Sequence, residues 1–210
     1  MTALGGAWRD AQELTAEVVG DGEVRALAHP SLVGVPEVGD TVLLNTTAWA
    51  QGLGTGGYAL VVAVPDRLPP DPTGPGHLVK ARYTPLQVSV QGVDEQETEH
   101  HRTIADAEDL AGMPVVVADL HSALPAALIG VLATDPDLRV AYVMTDGGAL
   151  VAGFSRTLSA LAPSLAGVVT VGQAFGGDLE AVTLHTGLLA AKHVLGADVT
   201  IVSQGPGNLG

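Results

Sequence analysis

The sequence predicts an α/β protein, α+β overall, in which a small N-terminal β-barrel or sandwich precedes a domain built on a parallel sheet. Residues 12–65 hold short β-branched runs between closely spaced Gly and Asp turns, without a helical stripe. Residues 112–210 instead alternate continuous apolar runs with helix-like segments. An acidic, polar stretch lies between them. We therefore predict a β-rich domain at 1–93, a linker at 94–111 and a parallel α/β domain at 112–210.

The N-terminal strands are predicted from turn chemistry. Residues 13–19 and 23–28 flank Gly-Asp-Gly, which favours a hairpin, and further strands are expected at 41–44 and 58–64. Five prolines at 65–76 predict an exposed loop. Residues 77–90 are expected to be extended again, with Pro85 restricting them to a sheet edge or a break.

The second half repeats a strand–helix pattern. Strands are predicted at 113–120, 139–145, 167–172 and 198–203, and helices at 122–133, 149–161 and 179–195. Strands that alternate with helices over short links pair in parallel through right-handed crossovers. The pattern therefore predicts a Rossmann-like domain.

Charge and composition exclude several classes of partner. The net charge is −14 and no basic run occurs, which argues against binding to nucleic acid or to an anionic membrane. The absence of cysteine excludes disulfides and thiolate chemistry. The N-terminus lacks the pattern of a signal peptide, and no apolar stretch is long enough to cross a bilayer. We expect a soluble, cytoplasmic protein.

Low charge density points to self-association. Hydrophobic residues make up 47% of the chain and charged residues only 15%. A monomer with so few charged side chains has difficulty covering its surface, so we expect a homo-oligomer that buries part of its apolar excess between subunits.

Candidate functional residues gather where the predicted parallel strands end, because ligands of open parallel sheets bind outside their carboxyl ends. His121, Asp146 and Asp178 are the candidate catalytic groups. The alternatives are a structural histidine and two acids that cap helices. The candidate ligand-binding glycines, which allow close backbone approach, are Gly147, Gly148, Gly176, Gly177, Gly205 and Gly207.

Two cations complete the candidate set. Lys80 and Arg82 share one face of an extended segment and are expected to contact an anion or to discourage pairing at a sheet edge. No metal site is predicted, because the histidines at 100, 101, 121, 185 and 193 lack ligand spacing. The cofactor is left open.

The chain ends on a glycine motif. Residues 205–210 match G-x-G-x-x-G after a predicted strand, but such a fingerprint normally opens a helix. A buried strand followed only by a glycine loop predicts that the natural protein continues beyond residue 210.

Several strings resemble a known bacterial family, domain of unknown function 3866, over nearly the whole chain. They are LNTTA at 44–48, GLGTGGY at 52–58, HLVKARYTPLQ at 77–87, GMPVVV at 112–117, AYVMTD at 141–146, FGGDLEAV at 175–182 and GPG at 205–207. The resemblance implies no reaction, substrate or cofactor. It does imply that the glycine-rich turn at 52–57 and the strand of Lys80 and Arg82 are functional and form a second wall of the site.

Two functions are compatible with these features. The first is binding of, or catalysis on, a small anionic or phosphorylated molecule in a cleft at the carboxyl ends of the parallel strands. The second is a scaffold or interaction role in which apolar surface drives self-association and no small-molecule site exists.

Overall fold

The computed structural model describes residues 1–71 and 73–207. Contacts within the chain form two compact units, which meet in the sequence between residues 72 and 73. The extended segment 77–90 therefore groups with the second unit rather than the first. The predicted division into a β-rich domain, a linker and an α/β domain stays a prediction.

The first unit is a mixed sheet with two short helices. Its elements are β1 (Ala3–Trp8), β2 (Ala11–Val18), β3 (Gly22–Ala28), α1 (Pro30–Val33), β4 (Leu43–Asn45), α2 (Thr47–Ala50) and β5 (Ala59–Ala63). The strand order is β1-β2-β3-β5-β4. All neighbours are antiparallel except β3 and β5, which are parallel.

Alternation along these strands puts one face of the sheet in the core. Leu14, Ala16, Val24, Ala26 and Val61 are nearly completely buried, as expected when every second side chain points to the same side. Among the described residues no pairing joins β1 to β4, so the predicted barrel or sandwich is not confirmed.

The second unit begins with a hairpin and continues as alternating strands and helices. Its elements are β6 (Leu78–Lys80), β7 (Val88–Val90), α3 (His101–Ala105), β8 (Val115–Val117), α4 (Leu124–Thr134), β9 (Val140–Thr145), α5 (Arg156–Leu161), β10 (Gly167–Thr170), β11 (Leu179–Glu180), α6 (Leu184–His193) and β12 (Val199–Gln204). Single turns of 3₁₀ helix occupy His121–Ala123, Ala152–Phe154 and Ala162–Ser164.

The predicted parallel sheet is confirmed. Five strands lie in the order β11-β10-β9-β12-β8, and every neighbouring pair is parallel. The central strands β9 and β12 are buried along almost their whole length. Their continuous apolar runs follow from coverage by helices on both faces.

The helices cover the two faces of the sheet separately. Leu124 and Leu128 of α4 and Leu158 of α5 pack with Tyr142 and Ile201 on one face. On the other face, Ile104 of α3 and Ala190 and Ala191 of α6 pack with Val143 and Val169. The chain segment after β9 therefore leads to one face of the sheet, and the segment after β11 leads to the other. The strand β10 lies between β9 and β11.

One predicted helix begins too early. Residues 179–195 were expected to be helical, but Leu179 and Glu180 form β11 beside β10, and α6 starts at Leu184. Thr183 caps that helix by accepting a hydrogen bond from the Thr186 amide at 3.1 Å. No helix in residues 1–71 or 73–207 combines the length and apolar character needed to cross a bilayer.

Candidate functional site

A small cleft lies at the carboxyl end of β10, within the second unit. Its volume is about 190 Å³, below the range of roughly 300 Å³ and more that is usual for drug-sized ligands. Its walls come from the β6 segment, from the turn after β10 and from the residue before the α6 cap. They are His77, Leu78, Val79, Lys80, Arg82, Gly172, Gln173 and Val182. Ligands of open parallel sheets bind where neighbouring connections diverge to opposite faces, as they do here.

Lys80 is buried rather than exposed at a sheet edge. Its side chain is 2% exposed, and the ammonium donates hydrogen bonds to the carbonyls of Thr170 (2.9 Å) and Ala174 (2.7 Å). A third bond reaches Glu180 Oε2 at 2.8 Å. Because an ammonium has three donors, this set occupies all of them. The expectation that Lys80 discourages strand pairing from an exposed edge is therefore wrong.

Glu180 completes this buried network. Thr170 Oγ1 donates to Glu180 Oε2 at 2.6 Å, and the Gly176 amide donates to Oε1 at 2.7 Å. Burial lowers the pKa of Lys80, and the carboxylates of Glu180 and Asp146 oppose that shift. The ion pair fastens β6 to β11, and the bond to the Ala174 carbonyl fastens it to the turn that follows β10.

Arg82 is the exposed cation of the cleft. Its backbone amide donates to Gln173 Oε1 at 2.9 Å, and its guanidinium carbon lies 5.2 Å from the centre of the Tyr83 ring. The flanking residues Ala81 and Tyr83 have φ values of 48° and 63°. Non-glycine residues rarely adopt this left-handed conformation, which is costly and concentrates at functional sites.

Asp146 stands at the carboxyl edge of β9, as predicted, and holds the turn that lines the cleft. Its Oδ2 accepts a hydrogen bond from the Gln173 amide at 2.9 Å. The neighbouring Gly172 leaves room for the carboxylate, since a Cβ there would lie 2.3 Å from Asp146 Oδ2. Asp146 thus positions Gln173. Its catalytic role stays a prediction.

Asp178 lies elsewhere, so the expectation that the three candidate acid–base groups share one edge of the sheet is wrong. After β10 the chain turns at the carboxyl edge and runs back before β11 starts. Asp178 Oδ2 therefore accepts from the Val168 amide at 2.8 Å, near the beginning of β10. Gly177 lies beside the same strand, because a Cβ there would be 2.8 Å from the Val168 carbonyl oxygen.

His121 belongs to a buried hydroxyl network on the face of α4 and α5. Its Nε2 lies 2.7 Å from Ser155 Oγ and its Nδ1 lies 3.0 Å from the Tyr142 hydroxyl. Ser155 Oγ also accepts from the Leu158 amide as the cap of α5. The Tyr142 hydroxyl reaches the Gln204 carbonyl at 3.1 Å.

Burial favours the neutral form of both titratable groups of this network. Burial lowers the pKa of His121, and burial raises the pKa of Tyr142 to about 12. The side-chain partners of His121 are Tyr142 and Ser155. Within the described chain His121 shares no hydrogen-bonding partner with Asp146. The geometry agrees with the alternative reading of a structural histidine.

Three of the candidate glycines serve a contact between two loops. A Cβ at Gly148 would lie 2.3 Å from the Gly205 carbonyl oxygen, and one at Gly205 would lie 2.1 Å from that of Ala149. A Cβ at Gly147 would meet the Gln204 side chain. The close approach that these glycines allow is thus used by the chain itself. A Cβ at Gly207 (φ 86°) would meet no atom of the described residues within 4 Å. The motif residues 208–210 lie outside the described part of the chain.

Two of the histidines considered for a metal contact backbone carbonyls. His101 Nδ1 lies 2.7 Å from the Asp94 carbonyl oxygen, and His193 Nε2 lies 2.7 Å from that of Asp109.

The residues that sequence reasoning missed are Gln173 and Glu180. No local pattern reveals them, because their partners Arg82 and Lys80 lie 91 and 100 residues away in the chain.

Comparison with known proteins assigns the family and nothing further. No curated protein and no solved structure matches the chain. A family model described as "Protein of unknown function (DUF3866)" matches residues 25–210, which include every strand, helix and cleft residue of the second unit. The chain belongs to the DUF3866 family.

Proposed function

We propose that the cleft at the carboxyl end of β10 binds a small anionic molecule through a phosphate-sized group. The observation that supports this most directly is Arg82, an exposed cation whose backbone lies between two left-handed residues and donates a hydrogen bond to the Gln173 side chain. The chain has only 9 Lys and Arg residues against 23 Asp and Glu. A cation in a strained, hydrogen-bonded turn beside a cleft therefore stands out from the acidic surface around it.

The start of α6 lies next to the cleft and also supports the proposal. Val182 lines the cleft and immediately precedes Thr183, the cap of this ten-residue helix. The first amides of a helix carry the positive end of its dipole and bind anions readily. The volume of about 190 Å³ suits one phosphate or carboxylate group better than a whole nucleotide.

Replacing Arg82 by alanine tests this proposal. We expect the variant to bind inorganic phosphate roughly tenfold or more weakly than the parent protein, since a hydrogen bond to a charged group contributes about 1.5–3 kcal/mol. Isothermal titration of the full chain with phosphate, and with sulfate for comparison, measures the change. Arg102→Ala is the matched control, because Arg102 is an exposed arginine of α3 in the same unit. Equal phosphate affinity in the parent and in Arg82→Ala would rule the proposal out.

Self-association through the free edge of β8 is the second candidate function. The Pro114 carbonyl and the Ala118 amide bond to β12, so the polar groups of Val115 and Val117 between them face away from the sheet. Val117 is 76% exposed and Ile129 of α4 is 65% exposed. Helix α4 has no charged residue. In a chain of net charge −14, a strand edge without a charged residue at 114–118 allows two copies to meet without added repulsion.

A lysine at this edge tests self-association. We expect Val117→Lys, and Ile129→Lys separately, to raise the dissociation constant of a dimer at least tenfold, because each places a charge in an apolar contact. Sedimentation velocity over a dilution series measures it. Val19→Lys is the control, since Val19 is fully exposed in a turn of the first unit. A parent protein that stays monomeric at every concentration would remove this candidate. The cytoplasmic location and bacterial origin expected from the sequence remain predictions.

A further inference from the structure

We infer that His77, Glu95 and Glu97 form a binding site for a divalent first-row transition metal. Each residue offers one ligand atom, and the three atoms lie within 4.8 Å of one another. The site joins the residue that precedes β6 to the turn that follows β7, so the β6–β7 hairpin holds its two sides together. The inference does not rest on anion binding, because it does not depend on Arg82 and its test uses the metal alone.

Glu95 is fixed in place before any metal arrives. Its side chain is 12% exposed, and its carboxylate accepts from the amides of His77 (3.0 and 3.1 Å) and Gly92 (2.9 Å). The imidazole of His77 meets the same carboxylate, with Nδ1 at 3.0 Å from Oε2. A ligand that is positioned by backbone hydrogen bonds loses little conformational freedom on metal binding.

The charge of the cluster favours a cation. Glu95 and Glu97 bring two carboxylates together, and in the described chain neither forms an ion pair with Lys or Arg. His77 offsets at most one of the two charges, and only when it is protonated. Neighbouring like charges repel, and a bound divalent ion removes that repulsion.

The donor set selects the class of metal. One imidazole nitrogen with two carboxylate oxygens suits Zn²⁺ and its first-row neighbours, whereas Ca²⁺ and Mg²⁺ prefer oxygen alone. Ligand atoms lie about 2 Å from such a metal, so the three groups must move slightly closer. His77 and Glu97 are exposed and can make this movement. Three protein ligands leave one coordination position of the metal open. One of these ligands, His77, also lines the cleft that contains Arg82.

Titration of the metal-free full chain with Zn²⁺ alone tests the inference. We expect one site per chain, and at least tenfold weaker binding in Glu97→Gln and in His77→Ala. Glu97→Gln is the decisive variant, because Glu97 makes none of the hydrogen bonds that hold the Glu95 turn. The matched control is Glu99→Gln, a nearby glutamate whose side chain is 88% exposed. Its affinity should equal that of the parent, and Mg²⁺ should not compete at equal concentration.

Two results would overturn the inference. One is the absence of any Zn²⁺ binding by the parent protein. The other is an affinity of Glu97→Gln and His77→Ala equal to that of the parent, which would mean that Zn²⁺ binds to other surface groups. Circular dichroism of each variant confirms that its fold is retained.

Discussion

Replacing Lys80 by methionine is expected to destabilise the second unit by about 3–5 kcal/mol, the usual cost of removing one partner from a buried ion pair. The carboxylate of Glu180 would stay buried next to Thr170 without its counter-charge. The Ala174 carbonyl would lose the ammonium donor as well. The Thr170 carbonyl would keep its hydrogen bond from the Ala181 amide. Each unsatisfied buried polar group adds to the loss.

Urea unfolding followed by far-UV circular dichroism measures this loss. Tryptophan fluorescence would report on the other unit, because Trp8 and Trp49 both lie in residues 1–71. Arg82→Met is the control, since it removes an exposed cation two residues away and is expected to cost less than about 0.5 kcal/mol. The double variant Lys80→Met/Glu180→Gln should regain part of the stability. A cost below about 1 kcal/mol for Lys80→Met would contradict the buried pair.

Alanine at Gly205 is expected to cost about 3 kcal/mol, at the upper end of the range for overpacking. The added Cβ would lie 2.1 Å from the Ala149 carbonyl oxygen, which belongs to backbone and cannot turn aside. Separating the two loops would also strain the hydrogen bonds from the Gly205 amide to the Thr145 carbonyl and from the Ala149 amide to the Pro206 carbonyl.

Gly130 provides the matched control for this substitution. It lies in α4, and a Cβ there would meet nothing within 4 Å. Gly130→Ala should therefore stabilise the protein by roughly 0.5–1 kcal/mol, because alanine favours a helix over glycine. Urea unfolding of both variants gives the comparison. A similar change in the free energy of unfolding for both variants would mean that the loops after β9 and β12 do not contact each other as described.

The sequence predicts most of the parallel sheet because its central strands are covered on both faces. Continuous apolar runs mark β9 and β12, and alternation with helices implies parallel pairing. The strand β11 was missed because it has only two residues and lies directly before α6. Its pairing with β10 is a tertiary effect that no local pattern records.

The candidate site was predicted less completely for the same reason. The predicted position of Asp146 was correct, because a residue that follows a parallel strand must lie at the carboxyl edge of the sheet. Asp178 was misplaced because the chain runs back along β10 before β11 begins. The burial of Lys80 depends on Glu180, which is 100 residues away, so the sequence could not distinguish an exposed lysine from a paired one.

The link between Lys80 and Glu180 also determines where the chain can be divided. A recombinant fragment that begins at residue 112, the predicted start of the α/β domain, would lack the β6–β7 hairpin and with it the counter-ion of Glu180. A fragment that begins at Thr73 would keep both partners. Efforts to crystallise the α/β part alone should therefore start upstream of the hairpin, because the shorter piece would expose a carboxylate that the intact protein keeps neutralised.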